Sequence, residues 1–180
     1  MKRQKKLQGV VNGRQCPTHL GHEAIIRAMI EECGPKNSLV IIGSAQAEMN
    51  SIHTFFPYVD RRRFILKIFP ELEGRILPLC DFKRDEDWLT ALDDLLTGCG
   101  FDPYSAIFYS GSQEDAHFYS DAGRHCRILN RFDGTTPKIS GTEVRDALVE
   151  RRSIKEMINP LIVDDVEKTF GRLWAEFKKR

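Results

Sequence analysis

The chain has almost no net charge: 27 lysines and arginines stand against 26 aspartates and glutamates, leaving +1 at pH 7. That excludes a general attraction to nucleic acid or to an anionic membrane, so any bound anion must be gripped locally. A C-x-x-C pair is also missing. The five cysteines (Cys16, Cys33, Cys80, Cys99 and Cys126) are odd in number and scattered. This points to reduced thiols in a cytoplasmic protein rather than to a disulfide framework. No apolar run reaches the length of a membrane span, and no signal core of sufficient length follows the basic start, Met1 to Lys6. Internal repeats, low-complexity tracts and Gly/Ser linkers are absent. No stripe of interleaved aromatic and basic residues marks a nucleic-acid face.

What is present is the make-up of an ordinary globular domain. The 180 residues are 41% apolar and 29% charged, enough for one domain with a real core. Short apolar runs alternate with stretches of helical period. Leu7 to Val11, Ser38 to Gly43, Arg75 to Cys80, Ser105 to Tyr109 and Arg124 to Leu129 read as strands. Ala24 to Cys33, Tyr58 to Phe69, Trp88 to Leu96, Ser140 to Val149 and Leu161 to Phe177 read as helices. Ala45 to Pro57 is polar and irregular, and Asp81 to Asp87 is a charged loop. The alternation predicts a doubly wound α/β domain with a five-stranded parallel sheet. It covers the whole chain, with a core over about 7–150 and C-terminal helices over about 153–178. The terminal stripe of Val163, Val166, Phe170, Leu173, Trp174 and Phe177 is expected to serve the core or a subunit contact.

The first strand runs into Gly13-Arg14-Gln15-Cys16-Pro17-Thr18-His19-Leu20-Gly21-His22 before the first helix. A helix start presents unpaired N–H groups and a partial positive charge, so such a turn readily holds phosphate. Gly13 and Gly21 permit close approach of a ligand. Arg14 offers a planar fork, and His19 and His22, three apart, can face the same way. Two histidines at that spacing can equally be half of a zinc site, but no second pair of ligands stands at metal-site spacing. A second helix start, Ser140-Gly141-Thr142-Glu143-Val144-Arg145, has a capping box and an arginine one turn in. It can form another phosphate cradle, or Ser140 can simply cap while Arg145 is solvated.

These two stretches resemble the H-x-G-H and I-S-x-T-x-x-R motifs of the nucleotidylyltransferase superfamily. The first takes the longer form G-R-F-Q-P-x-H-x-G-H, typical of archaeal-type nicotinamide mononucleotide (NMN) adenylyltransferases and of the related domain fused to Nudix hydrolases. Gly13, Arg14, Pro17, His19, Gly21 and His22 stand in register, whereas Gln15 and Cys16 replace the usual Phe-Gln. Ile42-Gly43-Ser44-Ala45-Gln46 resembles that family's second strand end. Arg61 matches an arginine that contacts nucleotide phosphates, and Asp81, Asp85 and Trp88 resemble a pattern near the nicotinamide pocket. Gly111 to Asp115 replaces a G-H-x-K-D stretch and lacks its His and Lys. The resemblance spans roughly Val10 to Leu161, the transferase without the Nudix unit.

The resemblance implies a Rossmann-like fold and transfer of AMP from ATP to NMN, giving NAD and pyrophosphate. His22, His19 and Arg145 would be catalytic. Gly13, Arg14, Gly21, Arg61, Ser140, Gly141 and Thr142 would hold ATP. Asp81, Asp85 and Trp88 would serve the acceptor, with Trp88 either stacking on the pyridine ring or packing in its own helix face. Mg²⁺ would arrive with ATP without a dedicated protein ligand, and a homo-oligomer is expected. Alternatives are the same fold with nicotinate mononucleotide, pantetheine phosphate or a flavin as acceptor, and a non-catalytic nucleotide sensor. A cytidylyltransferase is disfavoured because its G-I-S-T-T helix start is absent.

Overall fold

The computed structural model describes residues 6–46, 51–129 and 137–179. The basic start of the chain and the middle of the irregular stretch after the second strand lie outside them. Five strands are present: β1 (Gly9–Gly13), β2 (Ser38–Ile42), β3 (Ile76–Pro78), β4 (Ile107–Ser110) and β5 (His125–Ile128). They form one parallel sheet in the order β3-β2-β1-β4-β5. The helices are α1 (Leu20–Cys33), α2 (Tyr58–Ile68), α3 (Asp85–Gly98), α4 (Gln113–Asp121), α5 (Gly141–Val149) and α6 (Val163–Phe177). The doubly wound reading holds. Helix α4 was not expected, because its sequence carries no clear apolar stripe; its cap is legible, since the Ser112 hydroxyl accepts from the Asp115 N–H at 3.1 Å.

Alternation along the strands explains the layers. Val11, Val40 and Ile42 face α1 and α2, packing on Ile26, Met29 and Ile65. Val10, Leu39, Ile41 and Phe108 face the other way, onto Leu92, Leu96 and Tyr119 of α3 and α4. Strands buried on both faces are apolar along their length, which is why β2 reads Leu-Val-Ile-Ile after Ser38, whose buried hydroxyl donates to the Gly34 carbonyl. A third cluster joins Phe55, Phe56 and Phe64 to Val144 and Leu148 of α5 and to Val166, Phe170 and Leu173 of α6. The terminal stripe is thus core: Trp174 stacks on Phe170 at 5.4 Å between ring centroids. It also fastens α5 to the body of the domain, and α5 carries the second of the two helix starts.

The chain leaves β1 toward β2 and β3, then returns across the sheet to β4 on the far side of β1. Strand order therefore reverses at β1 and β4, and a crevice opens beyond their carboxyl ends. Asn12 and Gly13 of β1, Gly43 and Ser44 after β2, and Ser110 of β4 all line it.

Candidate active site

The crevice is a cavity of about 770 Å³, within the range of small-molecule sites. Its two predicted helix starts meet there. His19 is the N-cap of α1, and its Nδ1 accepts from the His22 N–H at 3.4 Å. The His19 and His22 rings stack at 3.7 Å between centroids and 25° between planes. Gly21 lies beneath them: a Cβ there would stand 3.1 Å from the His19 ring and 3.4 Å from the Pro137 carbonyl. Gly21 therefore does not face the cavity itself but makes room for the ring that does.

The start of α5 has the full capping box. The Ser140 hydroxyl accepts from the Glu143 N–H at 3.2 Å, and the Glu143 carboxylate accepts from the Ser140 N–H at 2.6 Å. These bonds from Ser140 hold the Glu143 carboxyl below the usual carboxylate range. Arg145 reaches across to the first loop, donating from Nη1 to the Cys16 carbonyl at 2.7 Å. Its Nη2 donates to Thr142 Oγ1 at 3.0 Å and lies 3.3 Å from His53 Nδ1. Burial lowers the Arg145 pKa from its very high ordinary value, yet the group remains a cation at neutral pH. A Cβ on Gly141 would stand 3.0 Å from Arg145 Nη1 and 3.4 Å from the Cys16 carbonyl, so this helix start must be bare for the bridge to close. Ser140, Gly141, Thr142, Arg145, Gly13, Arg14, His19 and His22 all line the one cavity.

The far end of the cavity has different chemistry. Trp88 of α3 packs against Phe118 and Tyr119 of α4 at 5.7 and 6.4 Å between centroids. Around these rings a side pocket of about 420 Å³ adjoins the main cavity, sharing Asn12, Asp81, Trp88, Asp115 and Tyr119 with it. Asp85 lines only this side pocket. Among the described residues, Asp81, Asp85 and Asp115 supply its charge and no lysine or arginine lines it. Asp81 is fixed by Ser44, whose hydroxyl donates at 3.0 Å, and by Gln46, whose amide donates at 2.9 Å. Asn12 Nδ2 donates to the Tyr119 oxygen at 2.7 Å, leaving Asn12 Oδ1 buried without a hydrogen-bond partner among the described residues. Burial pushes the Tyr119 phenol up, so it keeps its proton.

No protein-family model matches the chain. Solved structures do. A bifunctional NMN adenylyltransferase/ADP ribose pyrophosphatase from Francisella tularensis is 17% identical, with a TM-score of 0.76 over 96% of this chain and 52% of that one. A NadR protein in complex with NAD and AMP-PNP is 21% identical, with a TM-score of 0.61 over 87% of this chain and 46% of that one. A Plasmodium falciparum nicotinic acid mononucleotide adenylyltransferase complexed with NaAD is 17% identical, at 0.56 over 92% and 96%. The chain thus spans about half the length of the first two. The fold is that of the nucleotidylyltransferases.

Within that nucleotidylyltransferase fold, one expected ligand contact is corrected. Arg61 has no solvent exposure and does not line the cavity. Its guanidinium donates to the carbonyls of Arg14 and Gly43, both at 2.8 Å, and to that of Ser44 at 2.9 Å. Strand ends leave carbonyls pointing into the crevice floor, and a buried cation satisfies three of them at once. Arg61 ties together the loops after β1 and β2 and does not face the cavity. Its neighbours in the charge run are spent elsewhere: Arg62 pairs with Glu73, and Arg63 donates to Asp165 and Thr169. Sequence reasoning missed His53, Asn12 and Tyr119. His53 lies in an irregular stretch with no periodic signal. Asn12 lies next to the end of β1, where a single polar residue after an apolar run carries no periodic signal.

Proposed function

We propose that the protein is a nicotinamide-nucleotide adenylyltransferase, joining the 5′-phosphate of NMN to the α-phosphorus of ATP. The observation that carries this reading is the bridge from Arg145 to the Cys16 carbonyl, which places both helix starts on one cavity. A triphosphate laid between them meets N–H groups and cations from two sides. The nucleophile is an oxygen of the NMN phosphate, already anionic at neutral pH, so no general base is needed. One P–O bond forms to the α-phosphorus, the bond to the β-phosphate oxygen breaks, and pyrophosphate leaves with the electron pair. Positioning and electrostatic stabilisation carry the rate.

His22 stabilises the α-phosphoryl oxygens, with His19 and Arg14 on neighbouring phosphates. Arg145 and the Ser140–Thr142 helix start hold the β- and γ-phosphates; donation to the Cys16 carbonyl and to Thr142 Oγ1 fixes the plane of the guanidinium. No group of three His, Cys, Asp or Glu side chains able to hold a metal occurs among the described residues. On this reading Mg²⁺ would be carried by the triphosphate and water. The ion neutralises phosphate charge when bound.

The aromatic end fits the acceptor ring. Trp88 offers a face for stacking, and a side pocket lined by three carboxylates and, among the described residues, by no lysine or arginine favours a pyridinium with a neutral amide over one bearing a carboxylate. Asn12 Oδ1 supplies an acceptor and the Tyr119 hydroxyl a donor, the complement of a carboxamide. Incubation with ATP, Mg²⁺ and either NMN or nicotinate mononucleotide, with product identified by mass, tests the reading. NAD is the expected main product. Exclusive formation of the acid dinucleotide overturns the amide assignment, and nucleotide binding without pyrophosphate release overturns the enzyme reading.

A further inference from the structure

Gln15 is the unexplained residue of the loop. It is 1% exposed, yet it lines the cavity. Neither its Oε1 nor its Nε2 has a hydrogen-bond partner among the described residues. Its backbone is in the left-handed region at φ 51°, a conformation an unbranched glutamine adopts only under constraint from its surroundings. The constraint is visible: the carbonyl on one side, Arg14, is held by Arg61, and the carbonyl on the other, Cys16, by Arg145. Nε2 lies over the end of the central strand, 3.4 Å from where a Cβ on Gly13 would stand. The loop is thus pinned so that a carboxamide shut off from solvent borders the crevice, where the related motif carries phenylalanine.

A buried, unpaired carboxamide destabilises the protein on its own and is stabilised once a ligand supplies partners. Those partners must include both a donor and an acceptor. A phosphate only accepts, and would leave Oε1 unpaired. Position narrows the choice further. Three residues before Gln15, Asn12 is tied to the aromatic end through Tyr119; one residue after it, Cys16 is tied to the phosphate end through Arg145. A mononucleotide with its ring at one end and its phosphate at the other has its ribose between them, and ribose hydroxyls both donate and accept.

We propose that Gln15 is a specificity residue whose carboxamide hydrogen-bonds the ribose hydroxyls of the mononucleotide acceptor. The inference rests on the acceptor reading above and adds a residue to it. Gln15→Met tests it, being unbranched, close in volume and unable to form the bonds. The apo variant is expected to melt at or a few degrees above wild type, because two unpaired polar atoms are removed from a buried site. Calorimetric titration is expected to show NMN binding weakened about tenfold, with ATP binding unchanged. Wild type should lose about as much affinity for the 2′-deoxy or the 3′-deoxy analogue of NMN, and the variant should lose nothing further with that analogue. Gln15→Glu, which keeps the shape but loses the donor, should also weaken NMN binding and serves if the methionine variant does not fold. Unchanged NMN affinity in the variants, a loss that falls on ATP instead, or additive losses with both deoxy analogues overturns the proposal. Wild-type protein that binds neither nucleotide overturns the adenylyltransferase reading and this inference with it. Wild type that binds both, beside variants that bind both equally well, overturns this inference alone.

Discussion

The two ends of the crevice solve opposite problems. At the α1–α5 end, His19, His22, Arg14 and Arg145 gather with two helix starts, while at the α3–α4 end Trp88, Phe118 and Tyr119 gather with Asp81, Asp85 and Asp115. A chain with a net charge of +1 has no overall field to offer. It places donors and cations at one end and carboxylates and rings at the other, so the cavity is polarised along its length. The difference teaches that the crevice has a direction: on the proposed reading, an anionic tail and a flat, electron-poor head fit it one way round. The same contrast appears between the buried arginines. Arg61 spends its guanidinium on three backbone carbonyls away from the cavity, whereas Arg145 bridges to Cys16 and Thr142 and itself lines the cavity.

Breaking the phosphate end should have the largest effect. His22→Ala is expected to leave folding intact and to lower kcat by roughly 10²–10³-fold, the range for removing one preorganised donor. Steady-state turnover of ATP and NMN checks this, and turnover equal to wild type would remove His22 from the chemistry. Arg61→Met separates floor from ligand contact. It strips three carbonyls of their donor, and should cost about 3 kcal/mol or more of stability in urea unfolding. A variant that keeps its stability but loses ATP affinity would return Arg61 to the phosphates. Trp88→Leu sharpens the contrast from the aromatic end. Loss of stacking at about 1–2 kcal/mol should raise KM for the mononucleotide about tenfold and leave KM for ATP nearly unchanged. A rise shared equally by both substrates would mean that Trp88 only packs against its own neighbours.

The elements were readable where the signal is local. Branched apolar runs gave strands, and helical spacing gave α1, α2, α3, α5 and α6 close to their observed limits. The Ser140–Glu143 capping box was readable because both halves lie within one turn. Helix α4 was harder, since Gln-Glu-Asp-Ala-His-Phe-Tyr-Ser-Asp presents only Ala116 and Tyr119 to the core. Arg61 was misread because three consecutive arginines on a helix point in three directions, and nothing in that run says which of them turns toward the strand ends. His53 became legible only when Arg145 was seen beside it.

The sequence by itself determined the alternating α/β plan, the parallel sheet and the presence of two helix starts, one with paired histidines and one with a capping box and an arginine. Periodicity and capping are properties of neighbouring residues, so they survive in one dimension. Only the tertiary structure decided that Cys16 and Arg145, 129 residues apart, share a hydrogen bond, that Arg61 serves the floor, and that rings and carboxylates from α3 and α4 close the other end. The partner of a buried polar group is fixed by which distant segments pack against it, and that is set by the burial of the whole core.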